Sequence, residues 1–342
     1  MKKSLEPKKY TQYVVGLDIG RSGVKIAFMD SGKNTCTKFF PSVILPYKQI
    51  TFDTKEEVTN ADTVEVRGNK YFVGETALSQ GAKESIGLAS NWLDGDEHLA
   101  LLIRSHRYLN SYGVKPRLIV VGLPVNTFNH HSSELVRQVK EIFGQDIVVL
   151  PVPQPFGVYQ DEMLNDIGEY KTTSRLTGRY AVIDIGHYTV DYLTMNEGSW
   201  VEASSGSSDG MYVAVETLRK TLLSRGVDLS IFKLQEIIHK KEMMSYGKMV
   251  DMTADVRESL QGTVKLILQS TKSYIGVNAS QMDKIIVAGG GSEVVYPSIA
   301  NMWGNAVKPE NPRFSVALGM RKFGVFTLFS NASVVDRLAA LD

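Results

Sequence analysis

Two short stretches, about half a chain apart, repeat one unit. Val14-Val15-Gly16-Leu17 leads into Asp18-Ile19-Gly20-Arg21-Ser22-Gly23 and out through Val24 to Met29. Tyr180-Ala181-Val182-Ile183 leads into Asp184-Ile185-Gly186-His187-Tyr188-Thr189 and out through Val190 to Met195. Each is an apolar strand, an Asp-x-Gly bend and a second apolar strand. A hairpin that turns at a glycine beside a carboxylate brings backbone N–H groups close to an anion, while the carboxylate faces a metal next to it. Two facing copies would clasp a metal-bound polyphosphate between duplicated halves. A plain β-turn also favours Asp and Gly; the second copy is what weighs against that simpler reading.

At 342 residues the chain exceeds what one hydrophobic core usually supports, so two domains are expected. Its 43% hydrophobic and 22% charged residues are ordinary for a soluble globular protein. A net charge of +1 argues against a surface given over to nucleic acid, so no direct sequence-specific DNA or RNA binding is expected. The basic cluster Lys2, Lys3, Lys8 and Lys9 reads as a flexible tail over residues 1–12. Cys36, the single cysteine, excludes an intrachain disulfide and suits a reducing compartment. The start lacks the apolar segment of a signal peptide, and no run of roughly eighteen apolar residues offers a membrane span. A cytoplasmic location is the resulting expectation.

Strand and helix patterns alternate along the chain, as in α/β folds. After the first hairpin come a strand over Lys38–Leu45, a polar stretch to Asn60, and a short hairpin of Val64–Val66 and Tyr71–Val73. The spacing of Leu99, Leu102, Ile103 and Tyr108 predicts a helix over Glu97–Tyr112, ended by Gly113. Strands follow at Arg117–Gly122 and Ile147–Leu150, around a helix that Ser132-Ser133-Glu134 can cap and Gly144 ends. A polar linker near 170–178 precedes the second hairpin. Helices over Met211–Ser224 and Asp255–Ile275 and a strand over Lys284–Ala288 complete the second half.

Within the bends, Asp18 is suited to a hydrated Mg²⁺, which keeps its waters and takes few direct carboxylates. Gly20 and Gly23 let backbone fold around a phosphate, Arg21 and Ser22 offer N–H groups, and Lys25 can reach a β- or γ-phosphate as a point charge. Asp184 and Gly186 repeat these roles, followed by His187, Tyr188, Thr189 and Asp191. Ile285-Ile286-Val287-Ala288 runs into Gly289-Gly290-Gly291-Ser292-Glu293, where bare backbone can accept a flat ligand surface. Neither a G-x-G-x-x-G fingerprint nor a Walker G-x-x-x-x-G-K-[ST] motif occurs, which sets aside Rossmann dehydrogenases and P-loop ATPases.

These three segments resemble the phosphate-1, phosphate-2 and adenosine motifs of the actin-like ATPase superfamily, most closely the bacterial and archaeal plasmid-segregation proteins of the ParM/StbA type. Val121-Gly122-Leu123-Pro124, Pro153-Gln154-Pro155-Phe156-Gly157 and Phe314-Ser315-Val316-Ala317-Leu318-Gly319-Met320 extend the likeness, in the family's order, over residues 14–324. The resemblance implies an α/β fold of two similar actin-like, ribonuclease H-like domains with a nucleotide cleft between them. The expected division is 13–178 with 322–342, carrying an insert around 38–112, and 179–321. It implies ATP (or GTP) with Mg²⁺ as cofactors, Asp18 and Asp184 holding the metal largely through water, and Gln154 positioning the attacking water. Asp209 and Gly210, with Ser207 and Ser208, would meet the nucleotide from the second domain, and Glu216 and Lys220 would flank its base or ribose. Gly289, Gly290, Gly291 and Glu293 would line the adenosine site. Relatives carry small residues where this chain has His187 and Tyr188, a departure that bears on hydrolysis.

The implied function is a slow nucleoside triphosphatase that assembles head to tail into filaments, moving plasmid DNA through a DNA-binding adaptor. A small-molecule kinase, for sugars or carboxylates, is the alternative; it needs a carboxylate at the substrate hydroxyl, for which Asp161 or Glu162 are candidates. A chaperone-like ATPase ranks third, without an added substrate domain. Val325, Phe326, Leu328, Phe329, Val334, Val335, Leu338 and Leu341 suggest closing helices on the first domain. His130-His131 reads as a surface pair at a helix start, without ligand spacing for a metal.

Overall fold

The computed structural model describes residues 7–82, 92–171 and 176–331, with 333, 334 and 338. Lys2 and Lys3, Val335 and Leu341, and part of the expected 170–178 linker lie outside the described residues. Where a flexible tail to residue 12 is the expectation, Pro7–Tyr13 forms a 3₁₀ helix with Tyr10 buried, because that ring enters the core between the two halves.

The first half opens with β1 (Val14–Ile19), β2 (Gly23–Met29) and β3 (Thr35–Pro41). An insert follows: β4 (Ile44–Pro46), α1 (Glu56–Asp62), β5 (Thr63–Val66), β6 (Asn69–Val73) and α2 (Glu75–Ser79). It continues with α3 (Asp96–Ser111), β7 (Leu118–Leu123), α4 (Val125–Phe143), β8 (Val148–Pro153) and α5 (Gln154–Met163). The second half has β9 (Arg179–Ile185), β10 (Thr189–Asn196), β11 (Ser199–Trp200), β12 (Gly206–Asp209), α6 (Tyr212–Ser224) and α7 (Ile231–Lys240). Next come β13 (Glu242–Ser245), β14 (Lys248–Asp251), α8 (Thr253–Tyr274), β15 (Lys284–Ala288), α9 (Ser292–Met302), β16 (Ala306–Val307) and α10 (Ser315–Ser330).

Several expectations change here. The helix expected from Ser132 begins two turns earlier at Val125, behind Pro124, whose fixed φ of −55° suits a helix entry. His130 and His131 therefore sit inside α4. The strand expected over Lys38–Leu45 is divided between β3 and β4, which belong to different sheets, and the polar stretch before Asn60 contains the start of α1. Within the closing apolar run, Val325 to Phe329 lie in α10, while Val334 and Leu338 are helical again beyond it and buried in the core between the halves; the expected boundary at 321/322 falls inside α10.

The duplication is explicit in the topology. One sheet has strand order β3-β2-β1-β7-β8 and the other β11-β10-β9-β15-β16, with β12 paired to β10. In both, an antiparallel hairpin is extended by two parallel strands. Helices α5 and α10 lie between them: α10 packs on β1, β2 and β7, and α5 on β9, β10 and β15. Val14, Leu118 and Val120 from the first sheet share one core with Tyr180, Val182 and Ile286 from the second. That shared core fixes which way the two hairpin bends face.

Glycine sets how closely the central helices approach. A Cβ on Gly319 would stand 1.7 Å from the Gly157 carbonyl oxygen, and one on Gly157 2.5 Å from that of Val316. A Cβ on Gly16 would stand 2.0 Å from the Ala317 carbonyl oxygen. The sheet and both helices therefore meet backbone to backbone.

Candidate functional site

The first bend lies between β1 and β2, which pair so that Asp18 stands opposite Lys25. Asp18 is 2% exposed; one oxygen accepts from Lys25 Nζ at 2.9 Å and the other from Gln154 Nε2 at 2.7 Å. Gln154 is the first residue of α5, aimed by Pro153 and admitted by Gly122, where a Cβ would stand 3.0 Å from the Gln154 Cγ. Above the bend, a Cβ on Gly20 would meet Lys25 Nζ at 3.0 Å. The ammonium thus sits over the turn. Ser42 donates its hydroxyl to the Gly20 carbonyl, and Ser22 and Gly23 complete the turn, with Gly23 pressed against the Phe39 ring. Arg21 projects from the bend with its guanidinium 5.5 Å from the Trp92 ring centre.

The second bend is held from behind by the start of α6. Gly186 N donates to the Thr189 carbonyl at 2.9 Å, closing the turn. The amides of Gly210, Met211 and Tyr212 donate to the carbonyls of Tyr188, Gly186 and His187 at 2.9, 3.2 and 2.7 Å. A Cβ on Gly210 would meet the His187 oxygen at 2.7 Å, so only glycine lets the strand–helix junction reach the bend. Asp209 is exposed and accepts from the Tyr212 hydroxyl at 3.2 Å. Asp184 stands opposite Asp191 on β10 and Ala288 on β15.

The glycine run is built around Asp184. A Cβ on Gly289, whose φ is +86°, would stand 2.5 Å from an Asp184 oxygen, whereas Gly290 faces open space. Gly291 lies against Ile185 and Met211 and donates its N–H to the Ile185 carbonyl. Glu293 opens α9 in an ion pair with Lys308 at 2.8 Å, and Glu216 on α6 lies 3.6 Å from Arg219 while Lys220 is exposed.

The two bends feel one another. Burial pushes the Asp184 carboxyl up to about 7, reinforced by the negative charges of Asp191 and Asp18 and opposed by Lys25. Asp191, 2% exposed, is likewise raised, first by burial and also by Asp18, although Ser207, Thr189 and the Val125 N–H donate to it. Arg21 is lowered by burial, with Tyr188 across the gap acting the other way. Two buried carboxylates, Asp18 and Asp191, thus stand with the half-buried Asp184, and the Lys25 ammonium acts on Asp18 and Asp184. Such a site carries an excess of negative charge that a cation would relieve. Among the described residues no group of three or more His, Cys, Asp or Glu is arranged to hold a metal directly. A cation here would keep most of its water, as Mg²⁺ does.

Two contributors were not assigned a role from the sequence. Asp191 follows the second bend at a spacing from Asp184 that the sequence shows, but the spacing alone assigns it no role. Gln235, which contacts His187 from α7, gave no signal because its partner lies 48 positions away. Cavities of about 360 and 380 Å³ lie at the β13–β14 hairpin and beside α1 and α2, away from the bends.

The comparisons follow the same division. The model of the N-terminal domain of actin-like proteins matches residues 16–157, and that of the C-terminal part of the archaeal MreB-like actin homologue matches 182–301. They begin at β1 and β9, the first strands of the two sheets. The chain is an actin-like protein. Its fold is similar to a ParM non-polymerisable quadruple mutant from pCBH (20% identity, 91% of this chain and 98% of that one, TM-score 0.71). It is similar to ParM in a 15-stranded filament from Clostridium botulinum (20%, 92% and 99%, TM-score 0.69). A third likeness is to an archaeal actin homologue in complex with ADP (21%, 90% and 98%, TM-score 0.64). No curated protein sequence matches. No described helix is long and apolar enough to cross a membrane.

Proposed function

We propose that this protein binds a magnesium nucleoside triphosphate, ATP or GTP, between its two halves, hydrolyses it slowly, and assembles head to tail into cytoplasmic filaments. A DNA-binding adaptor would couple those filaments to plasmid DNA, so the chain itself reads no bases. The observation that carries the reading is that Asp18, paired with Lys25 at 2.9 Å and Gln154 at 2.7 Å, stands close enough to Asp184 on the opposite sheet for its charge to raise that carboxyl. Asp18 and Asp184 would hold Mg²⁺ through water, which supplies charge neutralisation for the phosphates when bound. Lys25 lies over the first bend, where it would meet a phosphate oxygen, and the bends, Gly20 to Gly23 and Gly186 to Thr189, would border the phosphates from either side. Gln154, its amide nitrogen held by Asp18, keeps its oxygen free to accept from a water and orient it. An amide orients without strong basicity, which fits slow turnover. Gly290, with Gly289 and Gly291, offers bare backbone to the base; Asp209, Gly210, Glu216, Lys220 and Glu293 border that side.

Filament assembly is supported by likeness to ParM in a filament, and open head-to-tail contacts generate helical polymers. The kinase alternative loses its candidate bases. Asp161 accepts from Ser315 and Lys322, each at 2.7 Å, and Glu162 pairs with Lys284 at 2.5 Å. The test is sedimentation of the purified protein with ATP, with ADP and without nucleotide, alongside Asp184→Ala. ATP-dependent pelleting is expected, and loss of the carboxylate should slow hydrolysis by about a hundredfold or more. Unchanged turnover in Asp184→Ala would remove the cleft from the chemistry, and solubility whatever the nucleotide would remove the filament.

A further inference from the structure

Helix α7 joins the second bend to the opposite half of the molecule. Ser230 caps it, accepting from the Lys233 N–H at 3.3 Å, which fixes where its first turn starts. Phe232, in that turn, packs on Val43, Phe72 and Ala77 of the insert in the first half. Three residues on, and so on the same helical face, Gln235 presents its side-chain amide to His187. The amide nitrogen stands 3.0 Å from His187 Nδ1. With the amide nitrogen turned toward the ring, Nδ1 is the acceptor, an arrangement that assigns the imidazole proton to Nε2. The ring is braced edge-on against Tyr188, with centroids 4.5 Å apart. Among the described residues the side-chain hydrogen bond of His187 is the one to Gln235 through Nδ1, and the residue is half-buried. Burial holds the imidazole's pKa down at about 4, so the ring is neutral near pH 7.

We infer that His187 Nε2–H is a hydrogen-bond donor to the terminal phosphate of a bound nucleoside triphosphate, and that Gln235 is the positioning residue that keeps the proton on that nitrogen. The inference rests on the nucleotide site proposed above and specifies how it distinguishes a triphosphate from a diphosphate. A diphosphate leaves the donor without its partner. Because Phe232 and Gln235 share one face of α7, the donor is presented when the two halves are packed together, which links phosphate recognition to closure.

The test uses the full-length protein, fluorescent ATP and ADP analogues with Mg²⁺, and ¹⁵N NMR of the His187 ring. The wild-type ring is expected as the Nε2–H tautomer, and Gln235→Leu should abolish that preference. His187→Ala and Gln235→Leu should each weaken the ATP analogue about ten- to a hundredfold, the worth of a hydrogen bond to a charged group, and leave the ADP analogue unchanged. Retained ADP binding certifies the fold of each variant. His187→Gln, which places an N–H near the Nε2 position, should recover most of the ATP preference. An Nδ1–H tautomer in the wild type, or equal losses for both nucleotides, would overturn the inference while leaving the nucleotide site standing. Wild-type protein that bound neither nucleotide would instead overturn the site itself.

Discussion

Replacing Gly319 by alanine tests whether the close approach of α5 and α10 holds the halves in register. The added methyl would stand 1.7 Å from the Gly157 carbonyl oxygen and 2.6 Å from the Asp161 N–H nitrogen, both backbone atoms that cannot rotate away. Real Cβ contacts stay beyond 3.0 Å, so the helices must part by at least about 1.3 Å. Overpacking of that kind costs about 3 kcal/mol. Alanine is also a better helix former than glycine by about 1 kcal/mol, leaving a net loss of about 2 kcal/mol. Gly262 supplies the control: it is exposed on α8 with nothing near its would-be Cβ, so Gly262→Ala should stabilise by about 1 kcal/mol. The difference between the two variants isolates the packing cost. Urea denaturation, read from midpoint and slope, measures both. Because Gln154 opens α5, the Gly319 variant should also bind nucleotide more weakly. A Gly319→Ala midpoint at or above that of wild type would refute the argument.

Two further outcomes follow from buried charge. His98 is fully buried, donates Nδ1–H to Gln138 at 2.7 Å and has its pKa lowered by burial from 6.5 to about 4. The unfolded chain therefore takes up a proton below pH 6.5 that the folded one refuses. Stability should fall by up to about 3 kcal/mol as pH drops from 6.5 to 4, and His98→Gln should flatten that limb of a stability–pH curve. A variant curve parallel to wild type would count against it. Lys322→Met leaves Asp161 buried with Ser315 as its remaining side-chain partner and should cost about 3–5 kcal/mol, much of it recovered by adding Asp161→Asn. A loss within measurement error in urea titration would mean that the pair is not what stabilises this junction.

What could be read from the residues depended on how local their signal is. Strand β15 was readable to the residue because its apolar run is bounded by Lys284 and by Gly289. Helix α3 declared itself through a stripe at helical spacing. Helix α7 carries a comparable signal, Ser230 followed by Ile231, Leu234, Ile237 and Ile238, and like the exposed hairpin of β13 and β14 it adds to the elements expected from the sequence. The start of α4 was misplaced because serines suggested a cap where a proline already served. At the site, the bends were legible since each carries its own acid and glycine. The pairing of Gln154 with Asp18 spans 136 residues, and that of Val125 with Asp191 spans 66, distances over which no local pattern operates. The pairing of Glu293 with Lys308, 15 positions on, is equally silent in the local pattern.

The junction at Gly210 has a mechanical consequence. A helix whose leading amides remain free can greet an arriving anion, and in many phosphate-binding folds it does. Here Gly210, Met211 and Tyr212 point theirs into the turn behind them, so α6 is plugged and its positive pole faces protein. The turn is therefore welded to a thirteen-residue rod. Any displacement that an occupant imposes on it must swing that rod as a lever, carrying a sub-ångström push at the cleft to the far surface of the second half.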